Sequence, residues 1–361
     1  MKKWLVIIIT GLISACGGEK TEISSMQDPE QAVDEIFSAF SGEVPGAAVM
    51  VIQDGNVTLE KGYGMARVAD KTPVTSKTNF RLASVTKQFT AMTILQLIES
   101  GQLTFETSLS DIFPEFPEYG KNITIRHMLQ HSSGIKDYGP MSTMELGRQF
   151  VDQDVLDYAM SLEDVDFAVG ERHVYSNSAY VIFTKILEKV TGEHWRDYVK
   201  NNIFDPLNMS NTLAFVDGVN TVSNRAYGHT VDDNGTITET DQNKWSALLG
   251  DGGIYSNLED FYNWDQALYT DKLLSQDMMD AIFTNQQTND GKPMNYGYGW
   301  RLENYKGLEV HYHTGSSIGF RNIYYRIPSK NFSLLILRNR DEGGEFSSIK
   351  YAHRMVDVYF N

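Results

Sequence analysis

The chain has 361 residues, and 47 acidic side chains against 31 basic ones give it a net charge of −16. That negative balance excludes nucleic acid as a partner and electrostatic docking on anionic lipid. A single cysteine, Cys16, excludes any intrachain disulfide, so stability must come from a buried core.

At the N-terminus Lys2 and Lys3 precede an apolar run, residues 4–13, that is short for a bilayer span. Ile13-Ser14-Ala15-Cys16 has the form of a bacterial lipoprotein cleavage box. Residues 1–15 are expected to be a signal peptide, Cys16 the lipidated residue and residues 16–28 (CGGEKTEISSMQD) a polar tether. Cleavage removes two lysines and takes the charge to −18, so membrane attachment would rest on the lipid alone. Cys16 is not followed by Asp, which fits outer-membrane sorting in the periplasm of a Gram-negative host.

Residues 29–361 read as one unit of α+β class: an antiparallel sheet flanked by helices, with a mostly helical insertion at about residues 104–283. Residues 29–40 (PEQAVDEIFSAF) form an amphipathic helix pattern. Residues 47–53 (AAVMVIQ) and 57–62 (VTLEKG) read as strands around the hairpin signal Asp54-Gly55-Asn56. Residues 86–100 (TKQFTAMTILQLIES) carry apolar side chains all round a helix closed by Gly101, which predicts a buried helix.

Ser84-Val85-Thr86-Lys87 stands at the start of that helix, where residues three apart share a face, so Lys87 Nζ can reach Ser84 Oγ. A lysine there needs partners or must give up its proton, and an uncharged amine accepts one. The same spacing recurs at Ser133–Lys136, broken by Gly134, and at Ser347–Lys350, on a solvated helix face. Only Ser84 sits on a buried helix and precedes the motifs that follow.

Tyr175-Ser176-Asn177 enters a second amphipathic helix, residues 178–190, ended by Gly192. Tyr175 can exchange protons with a nucleophile and a leaving group; Asn177 can donate to a substrate amide and hold Lys87. Residues 309–314 (EVHYHT) alternate as an edge strand leading into His313-Thr314-Gly315, where backbone pairing can hold substrate and Gly315 lets the chain pass close to it. The amides of Ser84 and Ser316 can form an oxyanion site. A serine hydroxyl is a weak nucleophile until a base, a proton donor and an oxyanion site surround it, and these motifs supply all three. Which of Lys87 and Tyr175 takes the serine proton is left open.

Residues 315–319 (GSSIG) also match G-x-S-x-G, which requires a strand, a sharp turn and a helix. Residues 320–327 (FRNIYYRI) read instead as a strand, turning at Ser329-Lys330-Asn331 into a partner at 332–337, with a last helix at 345–360. His311 with His313, and His127 with His131, lack companion ligands for a metal, and His131 reads as a helix-end cap. Asp232-Asp233-Asn234-Gly235 reads as a hairpin turn. Trp245, Tyr255, Tyr296, Tyr298 and Trp300 read as core or cleft wall.

With these motifs in this order, the chain resembles the serine β-lactamase and penicillin-recognising family, in its class C, DD-peptidase and esterase branch. Residues 128–135 (MLQHSSGI), 252–256 (GGIYS) and the pair Gly319-Phe320 after His313-Thr314-Gly315 strengthen the likeness. The resemblance implies an acyl-enzyme on Ser84, with Lys87 and Tyr175 as the proton-transfer pair. Asn177, His313, Thr314, Gly315 and the Ser316 amide would lie on the substrate side. It implies no metal and no organic cofactor, and a small-molecule or short-peptide substrate. Class C β-lactamases carry Lys where this chain has His313, so a permanent cation for a β-lactam carboxylate is missing. D-amino-acid peptides of cell-wall type, β-lactams and small esters all stay open as substrates. The rival from another class is a sensor that binds penicillin or cell-wall peptide without turnover.

Overall fold

The computed structural model describes residues 28–341 and 347–360. The expected signal peptide, Cys16 and the tether up to residue 27 lie outside the described residues.

The chain starts and ends in the same sheet. Strands β1 (Ala47–Gln53), β2 (Asn56–Tyr63), β3 (Arg301–Tyr305), β4 (Leu308–Ser317), β5 (Phe320–Ile327) and β6 (Phe332–Arg338) are ordered β3-β4-β5-β6-β1-β2, all antiparallel. β1 therefore sits between the last strand of the sheet and its own hairpin partner, in register from Ala47↔Arg338 to Gln53↔Phe332. The first hairpin turns in two residues, Asp54 and Gly55, both at positive φ (49° and 75°), the geometry whose twist matches that of the strands.

Both faces of β1 are covered, which explains its unbroken apolar run. Val49 and Val51 face one core with α1 (Pro29–Ile36) and the C-terminal helix; Met50 and Ile52 face the other with the helical insertion. α1 starts at Asp28, whose side chain accepts the Glu30 amide, with Pro29 in the first turn. It ends at Ile36, and residues 38–40 form a separate three-ten turn, so the expected helix over 29–40 is two pieces.

On the inner face lie α2 (Lys87–Glu99), α3 (Asp152–Met160), α4 (Asn177–Thr191) and α5 (Leu258–Ala267); α6 (Ser348–Phe360) returns to the outer face. α2 is buried from Lys87 to Leu95, as its composition predicts. The insertion also carries short strands. Ile254–Ser256 pairs with Phe80–Arg81 and Leu213–Ala214, and His229–Val231 pairs with Ile237–Glu239 across the expected turn at Asp232. Among the described residues, no helix is long and apolar enough to cross a membrane.

One reading is corrected. β4 is not an edge strand along its whole length, because β3 pairs with it from Leu308 to Tyr312; residues 313–317 run beyond the end of β3. The short, polar RLENY of β3 carries little strand signal by itself. The G-x-S-x-G match is followed by strand β5 with no helix, as the sequence reads, so Ser317 stands on no nucleophile elbow.

Candidate active site

Ser84 sits on a three-ten turn, Ala83–Thr86, that leads into α2. Ala83, just before it, has φ +50°, sparsely populated for a residue with a Cβ, so the turn is held by its surroundings. Leu82 N–H donates to the Ile254 carbonyl at 2.8 Å, and β4 passes so close that a Cβ on Gly315 would lie 2.1 Å from the Leu82 carbonyl oxygen. Gly315 thus serves the approach of β4 to the backbone preceding Ser84, a tighter constraint than the expected passage beside substrate.

Lys87 is fully buried, and its ammonium finds three oxygens: Ser84 Oγ at 3.3 Å, Asn177 Oδ1 at 2.9 Å and the Asp251 carbonyl at 3.0 Å. Three donors meet three acceptors, which is what allows a lysine into this interior. Asn177 is the first residue of α4, behind the Ser176 cap. Its amide is oriented from the far side by Asp137, which accepts from Asn177 Nδ2 at 3.3 Å and from the Ser178 amide and hydroxyl at 3.1 and 3.2 Å. A carboxylate at the start of a 15-residue helix also complements the positive end of its dipole.

Tyr175 brings its ring beside Lys87, whose Nζ lies 4.9 Å from the ring centroid, and beside Arg301, whose Cζ lies 5.3 Å away. Its hydroxyl is buried and has no hydrogen-bond partner among the described residues, so it is free to engage substrate. Behind it, His131 packs its ring at 4.4 Å and accepts the Ser176 amide on Nδ1 at 3.1 Å. His131 is the expected helix-end cap, at φ +56° after the helix Ile125–Leu129, with its own N–H on the Met128 carbonyl at 3.2 Å and the Ser132 N–H on the His127 carbonyl at 2.8 Å, and its side chain also supports the Tyr175 loop.

His313 is 1 % exposed. Burial, then the charges of Lys87 and Arg301, hold it well below the ordinary histidine range, so it is neutral. Nδ1–H donates to the Thr314 carbonyl at 2.7 Å, which leaves Nε2 to accept from Tyr296 hydroxyl at 3.1 Å. With both nitrogens engaged, His313 supplies no cation. His311 stacks on Phe283 at 4.5 Å and meets Glu309 at 3.0 Å; among the described residues no group of three or more His, Cys, Asp or Glu side chains is placed to hold a metal.

Ser84, Tyr175, Asn177 and Ser316 share the wall of a cavity of about 360 Å³ with Tyr138, Trp245 and Asp251. Lys87, His313 and Gly315 are buried and do not line it, and Thr314 is half-buried between the last two on β4. Of the aromatic group, Trp245 lines the cavity, Tyr296 supports His313, and Tyr255, Tyr298 and Trp300 are buried. The other two S-x-x-K matches are elsewhere: Gly134 is in a turn at φ +72° with Lys136 ion-paired to Asp164, and Lys350 is exposed on α6. Asp137, His131, Asp251 and Arg301 were not found by sequence reasoning as members of this site. A signal existed for two of them, since His131 lies inside MLQHSSGI and Asp251 directly precedes Gly252-Gly253.

The family model for beta-lactamase matches residues 31–356. The chain belongs to the beta-lactamase family. It is a serine hydrolase of that fold. It is 31% identical over 314 residues to a penicillin-binding protein of Bacillus subtilis, covering 82% of this chain and 69% of that one. It is 24% identical to a D-aminopeptidase of Gluconobacter oxydans over 88% of this chain, and spans 60% of that relative's length. Among solved structures, the octameric penicillin-binding protein homologue of Pyrococcus abyssi superposes with a TM-score of 0.78 at 25% identity, over 92% of this chain and 76% of that one.

Proposed function

We propose that this enzyme cleaves an amide or ester bond through an acyl-enzyme on Ser84. The observation that carries the reading is the set of contacts made by Lys87: its Nζ reaches Ser84 Oγ and is fixed by Asn177 and Asp251, beside an unpartnered Tyr175 hydroxyl at the same cavity.

In this reading Ser84 Oγ attacks the substrate carbonyl carbon while its proton passes to the Lys87–Tyr175 pair beside it. The oxyanion is received by the amides of Ser84 and Ser316, whose residues line the cavity together. As the tetrahedral intermediate collapses, the Tyr175 hydroxyl protonates the leaving nitrogen or oxygen and takes back a proton through Lys87. Water then attacks the acyl-Ser84 carbonyl and restores the serine. Thr314 and Gly315 hold β4 against the nucleophile turn, and neutral His313 supports the wall behind Tyr175.

The relatives' names point to D-amino-acid peptides and penicillins as the chemistry to try first. Residues 1–28 suit a lipid anchor at Cys16 that holds the enzyme in the periplasm, with the lipid as its only membrane contact. Hydrolysis of a chromogenic ester by the wild type and by Ser84→Ala tests the reading: activity must vanish in the variant while its fold, read by circular dichroism, is kept. Activity that survives Ser84→Ala would remove Ser84 as the nucleophile.

A further inference from the structure

Two charged side chains line the catalytic cavity, Asp251 and Arg81. Arg81 is 4 % exposed and spends both terminal nitrogens on the Ser246 carbonyl at 3.0 Å, so it is committed to backbone. Asp251 is half-buried. One of its carboxylate oxygens accepts the Tyr138 hydroxyl at 2.7 Å, and no cation lies within ion-pair distance of it among the described residues. An ionised carboxylate has about four acceptor sites. Here one is used by protein.

The seat is rigid. Burial, then the neighbouring Asp251 charge, keeps the Tyr138 phenol well above its ordinary range, so it stays a donor. Its ring packs on Trp245 at 4.9 Å, and Trp245 stacks on Phe150 at 4.7 Å. The Asp251 carbonyl holds Lys87 Nζ, which in turn meets Ser84 Oγ, so this carboxylate belongs to a residue two contacts from the nucleophile. A cationic substrate group would pair with Asp251 inside the cavity that Ser84 also lines. An α-ammonium is two bonds from the attacked carbonyl carbon, and the faces of Tyr138 and Trp245 beside it suit a cation.

We propose that Asp251, positioned by Tyr138, is the subsite for a free α-ammonium. The enzyme then acts on aminoacyl amides, short peptides or esters whose acyl residue is N-terminal, and discriminates against N-acylated analogues. An N-acyl substrate brings no charge and leaves the Asp251 carboxylate desolvated without a partner. This inference rests on the acyl-enzyme reading and names its substrate class.

The test compares kcat/KM of the full-length enzyme for D-alanine p-nitroanilide and for its N-acetyl derivative. The wild type should prefer the free amine by about 10- to 100-fold, the effect of one charge-assisted hydrogen bond. In Asp251→Asn that ratio should fall to near unity, chiefly through KM; Tyr138→Phe, which frees the carboxylate to turn away, should lower it as well. Equal rates for both substrates in the wild type, or an unchanged ratio in both variants, would overturn the subsite while leaving the serine hydrolase intact. Turnover of neither substrate would overturn this substrate class, and only turnover that survives Ser84→Ala would overturn the acyl-enzyme reading itself.

Discussion

The His131 ring packs against that of Tyr175 at 4.4 Å, and its Nδ1 takes the amide proton of Ser176, the next residue. One side chain thus fixes both the face and the backbone of the loop that presents the free hydroxyl. His131 itself is fully buried at φ +56°, and burial, then the charge of Lys87, keeps it well below the ordinary histidine range. It can therefore act as a neutral acceptor. Replacing it with Phe keeps the aromatic packing and leaves the Ser176 amide unsatisfied, a loss of about 1–3 kcal/mol. The expected outcome for His131→Phe is a lower Tm and a kcat reduced at least tenfold, with the larger change in kcat rather than KM. A variant with wild-type kcat would show that Tyr175 needs no support from this ring.

Asn177 links Lys87 to Asp137 through its two amide atoms. Asn177→Ala removes one of the three acceptors of a buried ammonium and should cut the acylation rate by about 10²-fold or more, since a group aligned to a nucleophile is lost. Asn177→Asp keeps an oxygen toward Lys87 but sets a second carboxylate against Asp137. It should recover part of the rate at a cost in stability. Stopped-flow acylation with thermal unfolding on both variants separates the two effects.

At Gly315 the prediction is steric. A Cβ there would lie 2.1 Å from the Leu82 carbonyl oxygen, which is backbone and can yield only if the nucleophile turn moves. Gly315→Ala should destabilise the protein by about 1–3 kcal/mol and slow acylation of Ser84. Wild-type stability and rate in this variant would mean that β4 and the turn are not coupled.

A buried carboxylate gives the clearest pH signature. Asp152, at the start of α3, is 7 % exposed and accepts from the Leu249 amide at 2.8 Å and the Thr184 hydroxyl at 3.0 Å, yet burial pushes its pKa up to about 7. Its ordinary value is 3.8, so between about 4 and 7 the folded state binds the extra proton, and this group's contribution to stability declines as pH rises through that window. Asp152→Asn removes the titration while keeping an acceptor for Leu249. It should raise Tm relative to wild type at pH 8, and the advantage should disappear by pH 5. An advantage that does not change with pH would show that Asp152 is ionised throughout.

The proposed trio of Ser84, Lys87 and Tyr175 was legible because each member lies in a short motif whose spacing has a local cause: a separation of three residues for Ser84 and Lys87, and a helix entry for Tyr175. The sheet was legible for the same reason, through the alternation of β4, the apolar runs of β1 and β6 and the Asp54-Gly55 turn. What escaped depends on distant pairing. β3 is five residues of mixed polarity that become a strand only beside β4, and the two- and three-residue strands of the insertion exist through partners far along the chain. Asp137 and Asp251 look like ordinary loop acids until the fold carries them to Asn177 and Lys87. Arg301 reaches the Tyr175 ring only because β3 lies next to β4.

The central claim is that Ser84 carries the acyl group. Its most direct test is time-resolved intact mass of the protein mixed with 6-aminopenicillanic acid, the penicillin nucleus with a free amine beside the attacked carbonyl, followed by peptide mapping of the adduct. A penicilloyl mass on Ser84, absent in Ser84→Ala, is the predicted result, and its lifetime reports how fast the site admits water. An adduct mapped to any other serine, Ser316 included, would contradict the account.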